Sequence, residues 1–323
     1  MSIAALEAAL QPHLGSRLRR DAPLGARTTY RVGGPAALLV EAAGRDDLLA
    51  VRDALVALAG AVAVVVVGNG SNLLVADAGF PGLVIVLGEE LARVEIDGTT
   101  VEAGGAALLP VIARRSASVG LHGFEWAVGV PGSMGGAVRM NAGGHGSDVA
   151  ASLRGVHVID LLGGHDGWVL ADALDLGYRS SAIAASTVVL GAELSLAHGE
   201  RAQAEEAIVD VVRWRRTNQP GGQNAGSVFT NPEGDSAGRL IDAAGARGLR
   251  VGSAQVSTKH ANFIIADASG RADDVLAVMT AVHDRVAARF GVELVAETRL
   301  CGFTPAAVAT VVPRSETRPE VEG

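Results

Sequence analysis

The sequence predicts an α+β protein of two or three domains, and three observations carry that reading. A chain of 323 residues can fill more than one hydrophobic core. Short β-branched runs and a hairpin signal are interspersed with amphipathic helical stripes. The glycine loop that follows the most apolar run is not succeeded by a crossover helix. Between Gly70 and Leu83 the chain carries Gly79, Pro81 and Gly82, and the loop reads G-x-G-x-x-L. A dinucleotide fold of the Rossmann type is thereby excluded, although Glu89 lies near the place of its ribose-binding acid.

The elements follow in order. Ile3, Leu6, Leu10, Leu14 and Leu18 recur at helical spacing and predict an amphipathic N-terminal helix within 1–26. A strand at 37–41 precedes a helix at 46–58, whose Leu48, Leu49, Val51, Leu55 and Leu58 form one stripe. AVAVVVV at 61–67 is too short and too β-branched for anything but a buried strand. It leads into the glycine loop, and a strand at 83–87 closes a small unit, 27–88. The second unit, 89–199, opens with a hairpin at 93–102 turning at Asp97-Gly98. A helix at 104–119 and strands at 153–162, 168–170 and 187–196 complete it. A third domain, 200–303, begins with a charged helix at 200–217. It continues with a helix at 237–244, strands at 251–256 and 261–266, a long helix at 272–290 and a strand at 292–301. Residues 304–323, rich in proline and charge, read as a loose tail.

Composition narrows the function. With 27 Lys and Arg against 35 Asp and Glu, the formal net charge is −8, which argues against nucleic acid or an anionic membrane surface as the main partner. Aromatic residues are 3% of the chain, too few for a base-stacking platform. One cysteine, Cys301, allows neither an internal disulfide framework nor a thiolate metal cage, and reads as a small buried residue of a strand. No His, Cys, Asp or Glu spacing suggests a metal site. The uncharged apolar run at 54–67 is shorter than the ~20 residues of a membrane span, and Gly60 interrupts it. No signal arrangement opens the sequence, so the protein is expected to be soluble and cytoplasmic.

The 42 glycines cluster. GFEWAVGVPGSMGGAVRMNAGGHG at 123–146 gathers them around one Pro-Gly turn, where the backbone must approach something closely. Gly132, Ser133, Gly135, Gly136, Asn141 and Gly143 are its candidate anion-binding positions. Gly68, Asn69, Gly70, Ser71 and Asn72 form a second donor-rich loop. Two such loops suit a diphosphate held from two sides.

GNGSNLLV at 68–75, GVPGSMGGAVRMNAG at 129–143, GYRSS at 177–181 and AGSVFTNP at 225–232 together resemble the ordered motif set of the UDP-N-acetylenolpyruvoylglucosamine reductases, the MurB-type flavoenzymes of peptidoglycan precursor synthesis. The similarity covers roughly 28–302. It implies a two-subdomain FAD-binding fold of the PCMH/vanillyl-alcohol-oxidase type, 27–199, with an α+β substrate-binding domain after it. It also implies that NADPH reduces FAD, which then reduces the enolpyruvyl group of UDP-N-acetylglucosamine enolpyruvate. Negative charge then develops beside the substrate carboxylate, so a cation and a proton donor are needed.

The resemblance assigns these roles residue by residue. Arg179 matches the catalytic arginine, whose guanidinium can grip a carboxylate through two parallel bonds. Ser227 matches the proton donor, and Glu297 the glutamate that polarises the substrate carboxyl. Glu293 competes with it, because in a strand 293, 295 and 297 share a face. Tyr178, Asn231 and Lys259 are the substrate-binding candidates, and His260 is as readily a structural hydrogen-bonder. Asn218 and Thr230 stand where the family often has lysine, with Arg215 or Arg216 as candidate replacements. The short stretch 180–186 implies the form without a long tyrosine-bearing substrate loop. Two rivals remain: another FAD-dependent sugar or lactone oxidoreductase on the same scaffold, and a catalytically dead binding module. The first often attaches flavin to a histidine near the first loop, and 68–74 contains none.

Overall fold

The computed structural model describes residues 3–312. Two compact units make up the chain. The first comprises the chain up to Arg20, Leu38–Asn69 and Gly82–Thr217; the second comprises Asp21–Ala37, Gly70–Pro81 and the chain from Asn218 onward.

The first unit has two cores. One lies under a four-stranded sheet in the order Leu18–Ala22, Ala36–Ala42, Phe80–Leu87, Val64–Val67, covered by the helices Ile3–Leu14 and Arg45–Ala57. The other lies under an antiparallel five-stranded sheet in the order Asp166–Leu170, Leu153–Asp160, Thr187–Ser195, Thr100–Gly104, Val94–Asp97. Alternate residues of Thr187–Ser195 feed both cores: Val188 and Leu190 face the first, Val189 the second.

Several elements differ from expectation for identifiable reasons. The N-terminal helix stops at Leu14 because Gly15 turns left-handed at φ +54°, and Leu18 opens a strand instead. The expected helix at 104–119 begins only at Leu109, since a Cβ on Gly104 would stand 2.0 Å from Leu91 O and one on Gly105 2.0 Å from Val189 O. Backbone is packed on backbone there. The hairpin turns one residue later than expected, because Asp97 pairs with Thr100 and Gly98 takes φ +55°. A six-residue helix, Met134–Arg139, forms inside the glycine-rich segment and was not anticipated.

The second unit packs the helices Ala237–Ala243 and Ala272–Phe290 on a three-stranded sheet, Arg250–Val251, Ala254–Val256, Ile264–Ala266. The long helix has the expected bounds, and its Val275, Met279, Val282 and Val286 are at most 1% exposed. Full burial of each such side chain is worth about 1.5–3 kcal/mol. Two early segments are woven into this unit. Tyr30 and Val32 join its core, and Leu73–Val75 pairs in parallel with Arg299–Cys301, where Cys301 is buried as expected. Asp77 accepts from the backbone N–H groups of Ala272 (2.9 Å) and Asp273 (3.2 Å) at the head of the long helix.

The expected strand at 292–301 is regular only at Arg299–Cys301. Upstream, its backbone bonds singly to other segments: Thr230 N to Val295 O at 2.9 Å, Ala296 N to Val311 O at 2.8 Å and Glu297 N to Val228 O at 2.8 Å. Residues 304–312, expected to be loose, contain the helix Pro305–Val308 and bury Val308 and Val311. The rest of that tail, 313–323, lies outside the described residues.

Candidate functional site

In the first unit the strand Val64–Val67 delivers Gly68 and Asn69 against the segment 131–133. Asn69 Nδ2 donates to Pro131 O at 2.5 Å. A Cβ on Gly68 would stand 2.2 Å from Ser133 Oγ, so a side chain there would fill the cradle. Ser133 opens the helix Met134–Arg139, yet its hydroxyl makes no capping bond; it is 3% exposed and has no hydrogen-bond partner. A buried hydroxyl in that state costs about 1–3 kcal/mol unless something engages it. Gly132, Gly135 and Gly136 do not use left-handed φ. Gly135 packs closely, since its Cβ would lie 3.3 Å from both Gly105 O and Val189 O. Its N–H is taken by Gly105 O at 2.9 Å, and that of Met134 by Ala107 O at 2.8 Å.

Arg179 sits at the third place of a tight turn in which Gly177 and Ser180 bond to each other in both directions, at 3.1 and 3.3 Å. Its φ of +56° is left-handed. That conformation costs a side-chain-bearing residue about 1–3 kcal/mol, so the surroundings must hold it. Arg179 Nη2 donates to Gly143 O at 3.1 Å, and its guanidinium lies 5.4 Å from the Tyr178 ring centre. Tyr178 is 61% exposed. Gly143 belongs to the hairpin Gly143–Gly144 with Ser147–Asp148, where a Cβ would meet Asp148 Cβ at 2.7 Å. Asn141, a candidate cofactor contact, directs its amide to protein groups. Nδ2 donates to Gly177 O (2.9 Å) and Asp148 Oδ2 (3.1 Å), and Oδ1 accepts from Ala150 N (3.0 Å).

In the second unit Gly226, at φ +78°, turns the chain into Ser227. The next residues are clamped from two sides. Asn262 accepts from Val228 N through its backbone oxygen (2.9 Å) and from Phe229 N through Oδ1 (3.0 Å), and donates from Nδ2 to Phe229 O (2.8 Å). On the other side Val228 O accepts from Glu297 N, while Asn72 Nδ2 donates to Glu297 O at 2.9 Å. Ser227, Glu297 and Asn72 are thereby gathered within this unit; Arg179 belongs to the first. Gly70 must be glycine here, for its φ is +60° and a Cβ would stand 2.7 Å from Arg27 O. Ser71, between Gly70 and Asn72, is partly buried. Because 292–298 is not a strand, the shared-face argument for Glu293 and Glu297 lapses. Glu293 is instead engaged with His283 at 2.6 Å on a 73% exposed side chain.

The remaining candidates are placed as follows. Asn231 Oδ1 accepts from Ala237 N at 3.0 Å, at the head of the helix Ala237–Ala243. Lys259 is exposed and its N–H donates to Ser257 Oγ at 3.1 Å. His260 packs edge-on against Phe263 at 4.8 Å, its Nδ1 accepts from Asn262 N at 3.3 Å, and burial, then Arg247, lowers its pKa. Arg215, on the helix Arg201–Asn218, packs over Gly129, and burial lowers its guanidinium from the ordinary value without discharging it. Arg216, next on that helix, is the other candidate. Among the described residues no His, Cys, Asp and Glu group could hold a metal, and no helix is long and apolar enough to cross a membrane.

Asn262 is the residue shaping the Ser227 segment that sequence reasoning missed. It stands in the quoted Lys-His-Ala-Asn-Phe segment, but nothing local signals a bond to a peptide 33 residues away.

Comparison with known proteins agrees with the motif set. Residues 217–301 match the family described as UDP-N-acetylenolpyruvoylglucosamine reductase, C-terminal domain, and residues 36–165 match an FAD binding domain. UDP-N-acetylenolpyruvoylglucosamine reductase 2 of Symbiobacterium thermophilum is 43% identical over 293 residues, covering 90% of this chain and 94% of that protein. The reductase of Acidiphilium cryptum is 41% identical over 296 residues, with coverage of 90% and 94%. The crystal structure of the enzyme from Thermus caldophilus superposes with a TM-score of 0.76 at 36% identity, covering 88% of this chain and 99% of that one. The chain belongs to the UDP-N-acetylenolpyruvoylglucosamine reductase family.

Proposed function

We infer that this chain is an FAD- and NADPH-dependent reductase that converts UDP-N-acetylglucosamine enolpyruvate to UDP-N-acetylmuramate, in the cytoplasm, for peptidoglycan synthesis. The observation that carries the reading is the gathering of Ser227, Glu297 and Asn72 through the bonds from Glu297 N to Val228 O and from Asn72 Nδ2 to Glu297 O, in a chain whose family membership rests on whole-length similarity.

The residues fit the flavin nucleotide. The partnerless Ser133 hydroxyl and the Gly68 backbone, kept bare of a Cβ, offer a donor and close main-chain approach to a diphosphate, with Asn69, Gly132 and Gly136 beside them. When bound, the flavin supplies two-electron transfer from NADPH to the enolpyruvyl double bond.

The rest falls to side chains. The Arg179 guanidinium grips the substrate carboxylate through two N–H bonds and stabilises charge that accumulates there during reduction. The Ser227 Oγ–H gives its proton to the carbon that bears the carboxylate. A serine hydroxyl is a poor acid, so this role depends on a fixed position, which the Asn262 and Glu297 bonds around Val228 and Phe229 supply. Glu297 polarises the substrate carboxyl. Lys259, Asn231 and Tyr178 are the assigned contacts to the nucleotide sugar, and Arg215 or Arg216 stands in for the lysines absent at Asn218 and Thr230.

The test is product formation. Purified protein given NADPH and the enolpyruvyl nucleotide should consume both in equal amounts and yield a nucleotide heavier by two hydrogens. Oxygen uptake with a polyol, without reaction of the nucleotide, would assign the chain to the sugar or lactone oxidoreductases instead.

A further inference from the structure

We propose that Asn141 is a positioning residue for Arg179 and not a ligand of the flavin diphosphate. The proposal rests on the reading that Arg179 grips the substrate carboxylate.

The first argument is an inventory of hydrogen bonds. A carboxamide has two N–H donors and one oxygen with two lone pairs. Both donors of Asn141 go to protein oxygens, Gly177 O at 2.9 Å and Asp148 Oδ2 at 3.1 Å, and the oxygen takes Ala150 N–H at 3.0 Å. What is left is one acceptor lone pair on a residue 3% exposed. Phosphate oxygens are acceptors too, so this side chain has nothing to offer a diphosphate.

The second argument is what those bonds hold. Gly177 opens the turn whose third residue is Arg179 at φ +56°. Three contacts tie the turn to one short stretch, 139–143: Asn141 Nδ2 to Gly177 O, Arg179 Nη2 to Gly143 O at 3.1 Å, and Ser181 Oγ to Arg139 O at 2.8 Å. Asn141 itself takes φ +37°, and Asp148 Oδ1 accepts Ala151 N–H at 3.2 Å, which anchors the carboxylate that orients the amide. The stretch after the helix Met134–Arg139 is therefore a template for the arginine turn. Its asparagine is the central peg.

Asn141→Asp tests this, because it replaces a donor by an acceptor facing Gly177 O and a second carboxylate, Asp148. Flavin content, flavin affinity and reduction by NADPH should match wild type. Reoxidation by the enolpyruvyl nucleotide should slow on the order of 10²-fold, the cost of a misplaced catalytic group. Because like charge raises a carboxyl pKa, part of that rate should return as pH is lowered from about 8 to about 5, when a protonated carboxyl can donate again. Asn141→Gly, which accepts the left-handed backbone and lacks the amide, should show the same split without the pH recovery. Weakened flavin binding, with normal reoxidation once flavin is saturating, would return Asn141 to the cofactor and overturn the proposal. So would reoxidation at the wild-type rate in either variant. If wild type itself is not reoxidised by the nucleotide, the functional reading falls and this proposal with it.

Discussion

Asn262→Ala is the perturbation whose magnitude the structure fixes best. The side chain closes on the Phe229 peptide with two bonds, 3.0 Å to its N–H and 2.8 Å to its C=O, and both residues are at most 3% exposed. Truncation leaves a buried donor and a buried acceptor unpaired, each costing about 1–3 kcal/mol, so the variant should lose about 2–6 kcal/mol. The corresponding fall in melting temperature is on the order of 10 °C. Hydrogen exchange over the peptide 225–231 should accelerate, since the Phe229 amide loses its acceptor. Reoxidation of reduced enzyme by the nucleotide should slow more than reduction by NADPH, because Ser227 adjoins the released segment. Unfolding within about 0.5 kcal/mol of wild type, the range of an inconsequential surface change, together with unchanged exchange, would refute the reasoning.

Three further outcomes are expected. Ser227→Ala should leave reduction by NADPH nearly intact and slow reoxidation by about 10²-fold or more, the scale of a lost general acid; equal slowing of both half-reactions in stopped-flow would count against the assignment. Arg179→Lys should not restore turnover, because an ammonium cannot reproduce a bidentate grip and lysine meets the same strain at φ +56°; near-normal kcat would contradict it. His260 has its pKa lowered from 6.5 by burial and then by Arg247, so folding favours the neutral ring. Its contribution to stability is full above about pH 6.5 and lost as pH falls below that, and His260→Gln should flatten the acid limb of urea unfolding.

What the sequence revealed depended on the range of the interaction. The helix Ala272–Phe290 was legible to the residue, since its stripe, acidic first turn and terminal Gly291 are all local. The glycine loops were legible as loops because glycine marks tight backbone, as at Gly70, where φ is +60° and a Cβ would stand 2.7 Å from Arg27 O. The segments around Tyr30 and Leu73–Val75 gave no sign that they join the second unit, because that follows from pairing with residues more than 200 positions away. Asn141 is a related case. An asparagine among glycines reads as a ligand arm, and the bond that its Nδ2 donates to Gly177 O, 36 residues on, leaves no local sign. The segment 292–298 failed as a strand because its backbone bonds are shared among Val228, Thr230 and Val311, and no alternation encodes that.

The central claim is that one bound flavin is reduced by NADPH and reoxidised by the enolpyruvyl nucleotide. A single anaerobic sample tests it. The visible flavin bands of the purified protein should bleach on one equivalent of NADPH and return in full on one equivalent of UDP-N-acetylglucosamine enolpyruvate. Bands that bleach and stay bleached after the nucleotide, yet return with oxygen, would contradict it.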